Sequence, residues 1–90
     1  MDVSPDIQRR ITLTISQVSR TIRALRVERG LTVKELADRC DMERSNLSRI
    51  EAGRTNMTLR TLCTICFALK VEIIDLLPVS QNEFPASESD

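Results

Sequence analysis

Ninety residues predict one small domain with no room for a second, ligand-sensing one, and a core of that size is marginal unless its helices pack very well or a partner helps. The formal net charge is zero, yet all 13 Lys and Arg residues fall between Arg9 and Lys70 with only 6 of the 13 acids, so the body carries +7 and the two ends together −7. A basic body suits a surface that faces phosphate. The lack of histidine, of a Gly-rich phosphate loop and of a serine with a base beside it argues against an enzyme, and two Phe without Trp or Tyr argue against RNA binding by stacking.

From the N-terminus, Ile7, Ile11, Ile15, Val18, Ile22 and Leu25 recur at helical spacing, which predicts an amphipathic helix ending before Gly30. Ser4 is its expected cap, with Pro5 and Asp6 in the first turn. Residues 1–18 read as an N-terminal extension or the early part of this helix, and the β-branched cluster Ile11, Thr12, Thr14 and Ile15 is a candidate break into two pieces.

The segment from Leu31 to Gly53 is the most informative. Thr32 and Glu35 form a capping box, and Leu31 and Leu36 flank it as a hydrophobic staple. The helix that follows runs to Arg39 or Cys40, with Leu36, Ala37 and Cys40 on one face. Cys40, Asp41, Met42 and Glu43 make a four-residue turn, and a second helix covers about Arg44 to Ala52 and stops at Gly53. Two short helices joined by such a turn, with basic and small polar residues crowding the start of the second, have the layout of a DNA-reading helix-turn-helix.

Further on, Thr58 is expected to cap a helix reaching about Lys70, with Met57 and Leu62 as another staple pair. A last short helix is expected from Glu72 to Leu77, ended by Pro78. Residues 78–90 are polar and acidic with a lone Phe84 and read as a flexible tail, which leaves 19–77 as the folded DNA-binding unit. The three cysteines do not suggest a disulfide framework. Cys63 and Cys66 form a C-x-x-C, but mid-helix among Leu59, Leu62, Ile65 and Leu69 they read as small buried hydrophobes, and no histidine completes a zinc site, so no metal or other cofactor is expected. No apolar run reaches membrane-spanning length and no secretory leader pattern opens the chain, so no membrane and a cytoplasmic location are expected.

Residues 20–77 resemble the phage repressor and Cro type of helix-turn-helix domain, the Xre family. The resemblance rests on the string LTVKELADRCDMERSNLSRIEAGRTNMTLRTL, in particular Leu31, Thr32, Leu36, Ala37, Ser48, Ile50, Glu51, Gly53, Asn56 and Leu62. It implies an all-α, lambda-repressor-like bundle of about five helices that binds double-stranded operator DNA as a homodimer, and a partly buried ion pair between Arg26 and Glu51. Two positions depart from the family: Val33 replaces a glutamine that lies near the phosphates, and Asp41 replaces the turn glycine. Aspartate tolerates the left-handed backbone better than most residues.

By position on the recognition helix, Glu43, Arg44, Ser45, Asn46 and Arg49 are the expected base contacts: arginine pairs bidentately with guanine, asparagine reaches adenine, and glutamate accepts from a cytosine amine. Thr32, Lys34, Arg54, Asn56, Thr58 and Arg60 are the expected phosphate contacts. By the same resemblance, Phe67 stands on a face that family members fill with a polar residue and Ile74 is exposed, so these two large hydrophobes are the candidate two-fold dimer surface, to which the N-terminal stripe can add. The competing reading is an antitoxin, partnered by a small toxic protein, or another protein-interaction adaptor built on the same fold. A controller protein of a restriction-modification operon is a further variant that this size suits.

Overall fold

The computed structural model describes residues 3–77; the expected tail at 78–90 lies outside the described residues. Four α-helices, α1 (Pro5–Glu28), α2 (Val33–Arg39), α3 (Arg44–Glu51) and α4 (Leu59–Leu69), are followed by a 3-10 turn at Ile73–Asp75. The expected fifth helix is therefore reduced to this single turn. Its one buried anchor is Leu76, and the proline at 78 disfavours helical backbone in the residue before it, so the segment has neither the length nor the packing to become an α-helix.

The second correction concerns α1, which is unbroken through Ile11–Ile15. β-Branched residues restrict side-chain rotamers and cost a helix only tenths of a kcal/mol each, roughly, which a good start outweighs. That start is Ser4, whose Oγ accepts from the Ile7 amide at 3.2 Å, with Pro5 at the first helical position.

One core joins the elements. Val18 and Ile22 of α1, Leu36 and Ala37 of α2, Leu47 and Ile50 of α3, and Ile65, Cys66 and Leu69 of α4 are buried together with Leu31, Cys40 and Leu76. Each fully buried aliphatic side chain stabilises by about 1.5–3 kcal/mol, so this cluster outweighs any surface pairing. The expectation of buried cysteines in the C-x-x-C holds for Cys66 and fails for Cys63, which is exposed, while Cys40 is buried with Leu36 and Ala37. Cys63 is one turn from Leu59 and Phe67, and all three are exposed, whereas Ile65, Cys66 and Leu69 are buried. Burial pushes the Cys40 and Cys66 thiols up, so neither is a ready thiolate.

Every α-helix ends the same way. Gly30, Asp41, Gly53 and Lys70 all take left-handed backbone, with φ of 69°, 55°, 72° and 61°. In each case the next residue's amide reaches back five positions, Leu31 to Arg26, Met42 to Ala37, Arg54 to Arg49 and Val71 to Cys66, at 3.0–3.1 Å. These are Schellman stops. Asp41 thus adopts the conformation that the glycine would have supplied. In three of the four connections the cap of the next element comes two residues later, at Thr32, Glu43 and Glu72.

Two arginines lock the C-terminal end of α1 to the rest. Arg26 donates Nε to Glu51 at 2.7 Å, Nη2 to the other carboxylate oxygen at 3.0 Å and Nη1 to the Leu31 carbonyl at 2.8 Å. Arg29 donates Nε to the Leu69 carbonyl at 2.7 Å, tying α1 to the end of α4. The bond to Glu51 raises the Arg26 pKa further, so the guanidinium stays charged throughout the working range.

At the start of α2 the Glu35 amide donates to Thr32 Oγ1 at 3.0 Å while Glu35 Oε1 accepts from the Thr32 amide at 2.8 Å. The backbone bond from Thr32, then its hydroxyl, lower the Glu35 pKa. A depressed carboxylate stabilises above its unfolded pKa and loses that contribution as pH falls through the lowered value. The stability gap between the wild type and Glu35→Ala, from urea unfolding, should therefore be constant near neutrality and close as pH drops from about 5 to about 3. A gap independent of pH would show that the carboxylate contributes no charged bond.

Candidate nucleic-acid interface

α3 presents two faces. Leu47 and Ile50 point into the core, and Glu51 is held against Arg26, so the helix is fixed from behind. Ser45, Ser48 and Arg49 are exposed on the opposite side, and Arg44 is exposed at the first position of the helix. No ion pair among the described residues engages Arg44, Arg49, Arg54 or Arg60. Four guanidinium groups with unspent donors on and beside one helix make a surface that accepts phosphate or guanine edges.

The structure does not bring all the expected base-contact residues to the same place. Glu43 is exposed just ahead of the helix, as its N-cap, and makes no side-chain capping bond. Asn46 is half-buried on the flank toward the turn, its amide 4.0 Å from the Met42 sulfur. Ser48, in contrast, is exposed on the outward face between Arg44 and Ser45, a position the 3.6-residue period marks although residue chemistry alone does not.

Among the expected phosphate contacts, Lys34 is exposed and paired with Asp38 at 3.0 Å, a surface pair that costs little to open. The Thr32 hydroxyl accepts from the Glu35 amide within the capping box, at the exposed start of α2. The Thr58 hydroxyl accepts from the Thr61 amide and donates to the Thr61 hydroxyl, both at 3.1 Å, so its role is the start of α4. Arg54 and Asn56 lie exposed in the loop between α3 and α4, and Arg60 is exposed in the first turn of α4.

Residues 17–77 match the family described as the helix-turn-helix domain. The chain belongs to that family. The curated HTH-type transcriptional regulator DdrOP3 of Deinococcus deserti is 39% identical to this helix-turn-helix protein over 56 residues, which is 62% of this chain and 43% of that protein. An immunity repressor of Bacillus phage phi105 is 39% identical over 56 residues, 62% of this chain and 39% of the repressor. The chain thus spans about two fifths of the length of these relatives. Among solved structures, the restriction-modification controller protein C.AhdI of Aeromonas hydrophila has a TM-score of 0.68 at 27% identity, covering 70% of this chain and 96% of that one. The controller protein C.Esp1396I, solved as a tetramer with its natural 35 base-pair operator, has a TM-score of 0.65 at 32% identity, covering 69% and 82%. The kinship with phage repressors read from the sequence is shown by these matches, as is the all-helical fold. The fold is that of transcriptional regulators. Among the described residues no helix is long and apolar enough to cross a membrane.

Proposed function

We propose that this helix-turn-helix protein is a cytoplasmic transcriptional regulator that reads a palindromic operator as a homodimer, with α3 in the major groove. The observation that carries the reading is the outward face of α3, where Arg44 and Arg49 are exposed and unpaired while Leu47, Ile50 and Glu51 fix the helix from the other side. Arg44, Ser45 and Arg49 read base edges, with Asn46 and Glu43 at the margin. Thr32, Lys34, Arg54, Asn56 and Arg60 hold phosphates, and Thr58 orders the helix that carries Arg60. Residues 19–77 form the DNA-binding unit, with 1–18 as its extension and 78–90 as its tail. A single α3 covers only a few base pairs, so specificity needs two copies about 34 Å apart, and the exposed Phe67 and Ile74 supply the two-fold surface.

Selection of bound duplexes from a random pool, followed by variants, tests this. Arg44→Ala or Arg49→Ala should lose about 1–3 kcal/mol on the selected site and blur one base position in each half-site. Arg60→Ala should instead weaken all sequences about equally and reduce the slope of log K against log salt. An unchanged selected motif in both Arg44→Ala and Arg49→Ala would place base reading on another surface.

A further inference from the structure

The 24 residues of α1 span about 36 Å at ~1.5 Å per residue, yet the body of the protein takes only the second half of this helix. Val18, Ser19 and Ile22 are buried, whereas Ile7 and Ile11 are 52% and 39% exposed. The connection after α3 meets α1 at Ser16 and Ser19, close to Gly53, and the molecule measures 46 Å along one axis against 27 and 19 Å along the others. The first three turns of α1 therefore project as a rod. At ~100° per residue, Ile7, Ile11 and Ile15 share a face with Val18 and Ile22. One apolar stripe thus runs the length of the helix and is covered over only its second half.

We infer that the projecting stripe pairs with the same stripe of a second copy, antiparallel, about a two-fold axis at Ile11. Size is the first argument. The uncovered surface is one helix face wide and about 18 Å long, far short of the about 800 Å² per side that a standard interface with a globular partner buries. A second rod of equal length covers it completely. Spacing is the second argument. Ile7 and Ile15 stand four residues to either side of Ile11, so reversing the direction leaves the pattern unchanged, with Ile11 against Ile11 and Ile7 against Ile15. Charge is the third. Asp6 and Arg9 lie on the far side of the helix, 3.6 Å from each other, the neighbouring Gln8 and Thr12 on one flank are uncharged and bond to one another at 3.4 Å, and the other flank carries the single charge of Arg10 beside Thr14, which the long arginine stem lets sit clear of the stripe. This surface is separate from the one at Phe67 and Ile74. Two distinct two-fold surfaces on one chain close a tetramer or continue as a chain, and the small area of the α1 pair makes it the weaker contact, formed at higher protein concentration.

Disulfide trapping in the full chain tests the geometry, with Cys63→Ser removing the exposed native thiol. Under mild oxidation Ile11→Cys should cross-link to itself. Ile7→Cys should not, but a mixture of Ile7→Cys and Ile15→Cys proteins should. Self-linking of Ile7→Cys would overturn the antiparallel arrangement, and Ile11→Cys linking no faster than Arg9→Cys on the far face would overturn the pairing altogether. In sedimentation velocity, the largest species of the wild type should dissociate at concentrations at least ~10-fold higher for Ile7→Ser/Ile11→Ser at unchanged helical circular dichroism, a shift of about 1.4 kcal/mol or more. An unchanged concentration dependence would also refute the inference. Neither readout involves DNA, so the outcome is independent of the operator-binding reading.

Discussion

Arg26→Ala is expected to lower the unfolding free energy by about 3–5 kcal/mol, a large part of the about 5–15 kcal/mol that a whole domain commands. The side chains of Arg26 and Glu51 are only 11% and 7% exposed, so removing the arginine strands a carboxylate in a place water hardly reaches and strips the Leu31 carbonyl of its donor. Urea unfolding followed by circular dichroism measures the loss. Replacing both partners, Arg26→Met with Glu51→Leu, should recover most of it, because a buried pair exchanged for apolar groups of similar size is often close to neutral. A single variant within about 0.5 kcal/mol of the wild type would show that the pair does not hold α1 to α3. A double variant as unstable as the single one would show that the geometry of the three hydrogen bonds, and not the stranded charge, sets the cost.

On the proposed reading, Phe67→Asp should convert the homodimer into a monomer with unchanged helical signal and weaken binding to the full palindrome by about 100-fold or more, because the second half-site then binds independently. Phe67 is 86% exposed and Ile74 72% exposed, so the aspartate meets solvent in the monomer and costs the fold little. Across a two-fold axis it meets another aspartate in an apolar patch. Sedimentation at the concentration where the wild type is dimeric decides the matter. A Phe67→Asp protein that remains dimeric would move the operator-binding interface away from α4, with the projecting part of α1 as the next place to look.

What the sequence made legible was local. The Thr32–Glu35 capping box, the Ser4 and Thr58 caps and the left-handed stop at Gly53 each involve residues a few positions apart, and the structure has all of them. Expectations failed where the outcome depends on sums over longer stretches. The β-branched cluster in α1 looked like a break because each residue is a poor helix former, but the small costs do not outweigh a continuous helix. Cys63 was grouped with Cys66 by composition, although three residues along a helix are enough to turn from the edge of the core to solvent. Contacts between distant segments left no trace at all. Nothing in the sequence marks Arg29 as the donor to Leu69, 40 residues away, and the Arg26–Glu51 pair, 25 residues apart, was legible only through kinship. For the interface, the position of the basic residues was readable, while the half-buried setting of Asn46 and the outward place of Ser48 required the phase of α3.

The repeated left-handed stop has a consequence for variation. Because main-chain hydrogen bonds turn the chain after α2 and a clamp on the inner side seats α3, the outward residues 44, 45, 48 and 49 take no part in placing the helix that bears them. On the proposed reading they are interchangeable letters on a fixed carrier. A lineage can exchange them and acquire a different target without retuning the scaffold, whereas an inserted residue between Asp41 and Glu43 would rotate the whole carrier and lose every target at once.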